Sequence, residues 1–97
     1  DAFIEKMVKL FCQQSQVMVE QIKIAYMADK LEVMGAAAHK LKPSIDNLKI
    51  NSLKQVIREI ENAGKAQSKT QELAGLIQLT EDIIWKTVTE LKQEFPE

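Results

Sequence analysis

The sequence predicts an all-α fold, an antiparallel up-and-down four-helix bundle with a short N-terminal helix, forming a single domain over residues 1–97. Three observations carry this. Apolar residues recur at alternating steps of three and four along most of the 97 residues. No stretch alternates apolar and polar residues, and no Asn-Gly or Asp-Gly pair offers a hairpin turn. Glycine and proline number only 3 and 2, too few for a turn-rich barrel or sandwich.

The elements follow in order. Phe3, Met7, Leu10 and Phe11 share one side of a first short helix. The polar patch 13–16 is expected to interrupt it, with Ser15 capping a second helix on Met18, Ile22 and Ala25, flanked by Val19 and Tyr26. Asp29 and Glu32 have the spacing of a capping box. Behind them Leu31, Met34, Ala38, Leu41, Ile45 and Leu48 form the most regular seam in the chain. After a lapse at 47–50, Ser52 and Gln55 supply another box. Leu53, Val56, Ile57 and Ile60 make the next stripe, with Gly64 expected as the residue that ends it. Residues 64–69 read as a polar loop. A last helix is expected from about Thr70 to Phe95 on Leu73, Ile77, Thr80, Ile84, Val88, Leu91 and Phe95, stopped by Pro96. Short connections imply antiparallel neighbours.

Composition narrows the function. Thirteen basic residues against fourteen acidic ones give a net charge of −1, which carries no footprint for nucleic acid or an anionic membrane. No apolar run is long enough to span a bilayer, and no basic-then-apolar signal opens the chain. Cys12 is the only cysteine, so no internal disulfide can form and a reducing cytoplasm is the expected location. Beside Phe11 it reads as a buried thiol and not a nucleophile. Asp1 stands where an initiator methionine would be, which fits excision from something longer. A closed bundle with balanced charge is most simply a monomer.

His39 is the only histidine. On a helix it lies roughly 130° from the centre of the Leu31–Leu48 seam, so its imidazole is expected in solvent at mid-helix. Gly35 sits one turn earlier with alanines between, at a cost of about 1 kcal/mol relative to alanine. Two explanations stand level: close approach by another protein, or close packing on a neighbouring helix. Lys42 lies at i+3, on the imidazole's side, where an ammonium favours the neutral nucleophilic form and offsets phosphoryl charge. Pro43 deletes the backbone bond to the carbonyl of His39, and a kink is expected there.

The run Ala37-Ala38-His39-Lys40-Leu41-Lys42-Pro43-Ser44, followed by Leu48, Leu53 and Ile60-Glu61-Asn62-Ala63-Gly64, resembles histidine-containing phosphotransfer (Hpt) domains of two-component phosphorelays. Their pattern is A-H-x-L-K-G-S, a leucine-glycine-alanine corner and a leucine-glutamate helix end. The resemblance extends over nearly the whole chain. It implies that His39 is the phosphoacceptor and Lys42 its charge-stabilising neighbour. Glu61 falls where some members orient the imidazole with a glutamine or glutamate, although a helix end also suits a solvated glutamate. Pro43 replaces the usual glycine, and Lys49-Ile50 replaces the glycine-alanine corner.

The implied chemistry is attack by the neutral imidazole on an aspartyl phosphate of a response-regulator receiver domain, reversible toward a second receiver. Nothing in the chain reads as a holder of Mg²⁺ or ATP, so the receiver is expected to bring the metal. The protein is then a phosphocarrier and not an enzyme, with no cofactor of its own. Receivers and a hybrid sensor histidine kinase are the implied partners. Gly35, Ala36, Lys40, Lys42, Pro43 and Asp46 are the expected docking residues, with Met7, Leu10 and Met18 from the first helices. The rival reading is a non-catalytic adaptor bundle, whose binding would survive His39→Ala. A di-metal bundle fails, because it needs E-x-x-H pairs on two helices.

Overall fold

The computed structural model describes residues 2–95. Four helices account for nearly all of them: α1 (Ala2–Met27), α2 (Leu31–Asn47), α3 (Asn51–Ala66) and α4 (Leu73–Glu94). Each packs on its chain neighbours and α4 closes on α1, giving a bundle 42 × 20 × 18 Å with no strand among the described residues. The seams of α2, α3 and α4 run where the apolar spacing places them. Met34, Ala38, Leu41 and Ile45 meet Leu53, Val56, Ile57 and Ile60, with Leu73, Ile77, Ile84 and Val88 opposite. Thr80 joins this core because its hydroxyl donates to the Leu76 carbonyl at 2.8 Å.

The N-terminal half departs from expectation. No break occurs at residues 13–16, and α1 is one 26-residue helix. Glutamine is a fair helix former, and Ser15 is small enough to sit in the core, so nothing there stops the helix. Ser15 is buried inside α1, and its hydroxyl has no hydrogen-bond partner. The buried face of α1 is Val8, Phe11, Cys12, Ser15, Val19, Ile22 and Ala25. Phe3 and Leu10, expected on one side of a helix with Phe11, are exposed, whereas Phe11 is buried.

The connections are built alike, and differently from the expected caps. Asp29, Lys49 and Gln67 have φ of 59°, 55° and 49°. At each, two N–H groups return to the helix just ended. Lys30, Ile50 and Ser68 donate to the carbonyls of Ala25, Ile45 and Ala63, while Asp29, Lys49 and Gln67 donate to those of Tyr26, Asp46 and Gly64. These six-to-one and five-to-two pairs are Schellman ends, made three times without a glycine. Asp29 and Ser52 therefore cap nothing: α2 and α3 start with no side-chain cap bond. α4 begins at Leu73 and not at Thr70, and Pro96 lies outside the described residues.

Gly64 does not end α3. It lies inside the helix, with Gly35 of α2 against it. A Cβ on Gly64 would lie 2.6 Å from the Gly35 Cα and 2.7 Å from the Leu31 carbonyl oxygen. Backbone meets backbone here, which brings α3 close enough for one of its carboxylates to reach the exposed face of α2.

Candidate functional site

α2 presents His39 to solvent as its angular position requires, with 68% of the side chain exposed. α2 continues through Pro43, which has no N–H to return to the His39 carbonyl. The imidazole is nevertheless held. Its Nδ1 lies 2.5 Å from Oε2 of Glu61, on α3 one turn before Gly64. The second carboxylate oxygen accepts from the Lys42 ammonium at 2.8 Å. Lys65, one turn further along α3, places its ammonium 3.7 Å from Oε2.

Glu61 is buried, at 3% exposure, so the solvated glutamate suggested by its place near a helix end is not what the fold makes of it. The Lys42 hydrogen bond, resisted by burial and helped by the His39 hydrogen bond and by the charges of Lys42 and Lys65, pushes its carboxyl down to about 2. An ionised carboxylate can only accept hydrogen bonds, so Nδ1 of His39 carries the proton and donates it. In the neutral ring the lone pair is then on Nε2, which points away from Glu61. The contact and the ionised carboxylate together select this tautomer.

The remaining expected residues separate. Ala36, Lys40, Pro43 and Asp46 are exposed on α2 around His39, and Lys42 is half-buried by its bond to Glu61. Gly35 is buried, so the level choice at this position goes to helix packing: its missing Cβ accommodates Gly64 and not a partner's surface. Met7 and Met18 are half-buried, and Leu10 is exposed. Cys12 is buried, as expected. Lys65 was not among the expected residues, although Glu61 and Lys65 have the i, i+4 spacing of a helical ion pair.

An open groove of about 540 Å³ runs along the α2–α3 side of the imidazole, edged by Glu32, Ala36, Lys40 and Lys65 and floored by the glycine contact. A second groove of about 480 Å³ lies on the α1–α2 side, where Gln14, Val17 and Met18 face Lys40 and Ser44. His39 thus stands on a ridge with low ground on both sides. Among the described residues no group of His, Cys, Asp and Glu could hold a metal ion, and no helix is long and apolar enough to cross a membrane.

No curated protein and no solved structure matches this chain. A protein-family comparison does: the Hpt domain matches residues 6–94, a span that covers α1 from residue 6 on, the whole of α2, α3 and α4, and every residue of the His39 site. With that match over nearly its whole length and a four-helix bundle as its architecture, the chain belongs to the Hpt domain family.

Proposed function

We propose that the chain is a phosphocarrier in a two-component phosphorelay, the reading that membership in the Hpt family supports. We propose that His39 is the phosphoacceptor and that Nε2 is the atom that receives the phosphoryl group from a receiver-domain aspartate. The observation that carries this reading is the Nδ1–Glu61 hydrogen bond at 2.5 Å, which leaves the Nε2 lone pair facing solvent.

The step balances without moving a proton. The Nε2 lone pair forms the new N–P bond, the P–O bond of the aspartyl phosphate breaks, and the aspartate carboxylate leaves with the electron pair. The ring keeps its Nδ1 proton and gains a positive charge, which the ionised Glu61 carboxylate faces at hydrogen-bond distance. The reverse step returns the phosphoryl group to the same or another receiver. Lys42 keeps Glu61 ionised and in place, and with Lys40 and Lys65 it adds positive charge to the face that meets the phosphoryl oxygens. In-line positioning and charge neutralisation are the main demands of phosphoryl transfer. In this reading Mg²⁺ arrives with the receiver, whose own acidic residues hold it. Receivers and a hybrid sensor histidine kinase are the partners, and Ala36, Lys40, Pro43 and Asp46 border the docking face.

The test is transfer from phosphorylated receivers with Mg²⁺, followed by intact mass and acid lability. Wild type should gain one acid-labile phosphoryl group and His39→Gln none. Glu61→Ala should slow transfer by about tenfold or more, the scale on which losing a partner that orients a ring is felt. Absence of transfer across a panel of receivers, with folding and binding intact, would favour the adaptor reading.

A further inference from the structure

The basic residues of α3 are sorted to one side of the helix. At about 100° per residue, Lys54, Lys65 and Arg58 lie roughly 20°, 40° and 60° from Glu61, all on its solvent side. Gly64 lies the other way, toward α2, and the one other acid of α3, Glu59, is roughly 160° away on the opposite flank. Lys54 is half-buried, Arg58 and Lys65 are exposed, and the row spans about 16 Å. Neither Lys54 nor Arg58 forms an ion pair among the described residues, whereas Lys23 and Lys69 are tied to Glu81 and Asp29. On α2, Lys40 and Lys42 flank His39. The carboxylates of this face are Glu61, enclosed by its own partners, Asp46, and Glu32, which accepts from Gln67 at 3.2 Å. Five cations against three anions leave the face positive in a chain whose net charge is −1.

We infer that the flank of α3 formed by Lys54, Arg58 and Lys65 is a steering surface, which captures the acidic rim of a receiver and guides it onto His39. The inference rests on the phosphotransfer reading, in which the partner brings both the phosphoryl group and the carboxylates that hold its Mg²⁺. Such a partner carries negative charge around the atom to be transferred, and the complementary excess lies around His39 on the α3 side. The docking residues expected from the sequence lie on α1 and α2 alone, so this flank adds a third element to the face. Attraction of this kind raises the rate of encounter and fixes orientation more than it tightens the final complex. The row thus differs in role from Lys42, which is bound to Glu61 beside the ring. Lys54 stands about 10 Å along the helix from Glu61, and Arg58 makes no bond to the ring or its carboxylate. Both act on the partner's approach and not on the N–P bond.

The on-rate of His39→Gln with a panel of phosphorylated, Mg²⁺-loaded receivers reads the surface without the chemistry. From about 10 to 200 mM salt the screening length falls from roughly 30 Å to below 10 Å, and the on-rate should drop about tenfold or more. Adding Lys54→Gln and Arg58→Gln should lower it about threefold to tenfold at low salt and flatten its salt dependence. Adding Lys86→Gln and Lys92→Gln instead removes the same charge from exposed positions of α4, diagonally across the bundle from α2, and should lower it by less than about twofold. With His39 in place, Lys54→Gln with Arg58→Gln should slow transfer at low receiver concentration and leave the rate at saturation unchanged. An on-rate indifferent to salt, an α3 pair that behaves like the α4 pair, or no receiver bound at all would overturn the inference. An equal loss at saturation would overturn it too, because the row would then act in the chemical step. Salt-dependent binding that needs the α3 row, with no transfer to wild type, would support the steering surface and overturn the phosphotransfer reading instead.

Discussion

At Glu61 the cost of removing a carboxylate from water is met by two lysines and one imidazole. The balance is legible in the direction of its titration. Because the folded carboxyl titrates near 2 and the unfolded one near 4.5, the folded state holds fewer protons between those values. The stability that Glu61 contributes is thus fully present above about pH 4.5 and lost as pH falls toward 2. Urea unfolding of wild type and Glu61→Gln across that window should show wild type more stable at neutral pH, with the difference shrinking as the pH falls. A difference that stays constant down to pH 2 would mean that Glu61 is not ionised by its partners. Of the site residues, His39 was readable from the sequence, because a helical wheel needs only local periodicity. Burial of Glu61 was not, because it depends on how closely α3 approaches α2. No stripe within α3 encodes that distance.

The distance is set at the scale of elements, by glycine meeting glycine. Gly64 stands where a helix terminator is expected, and sequence logic assigns it that role, yet the helix continues past it to Ala66. The left-handed residue that ends α3 is Gln67, and Asp29 and Lys49 end α1 and α2 the same way. Capping rules place glycine at such positions, so the caps were misread, while the stripes of α2, α3 and α4, which follow from burial, were read correctly. Lys49 occupies the glycine position of the family's corner and adopts the φ a glycine would take without strain. Two substitutions should therefore move in opposite directions. Lys49→Gly should stabilise the fold by about 1 kcal/mol by relieving the left-handed strain. Gly64→Ala should destabilise it by about 1–3 kcal/mol, since its methyl must displace the α2 backbone, and should lengthen the Nδ1–Glu61 contact. Denaturant midpoints measure both. Loss of phosphotransfer in Gly64→Ala beyond its loss of folded protein would report the lengthened contact.

For the whole molecule, the sequence sufficed for four helices closing on one another, since short connections between amphipathic segments leave few other topologies. It failed along α1. Polar residues 13–16 suggested two helices where there is one, because glutamines around a small buried serine look like a break when only one stripe is tracked. The same error put Phe3 and Leu10 on one side with the buried Phe11, although they belong to a second, outward stripe. α1 thus carries two apolar stripes, one holding the bundle together and one facing out. Between the helices the bundle's contribution to chemistry is rigidity: α2 supplies the imidazole, α3 the carboxylate, and the core fixes their separation. A single histidine makes this directly observable. Long-range ¹H–¹⁵N correlation of the ring, before and after phosphorylation by a receiver, reports which nitrogen carries the proton and which the phosphorus. The account predicts an Nδ1-protonated ring in the free protein and phosphorus on Nε2 afterwards, with the Nδ1 proton retained. An Nε2-protonated ring at neutral pH, or phosphorus on Nδ1, would contradict it.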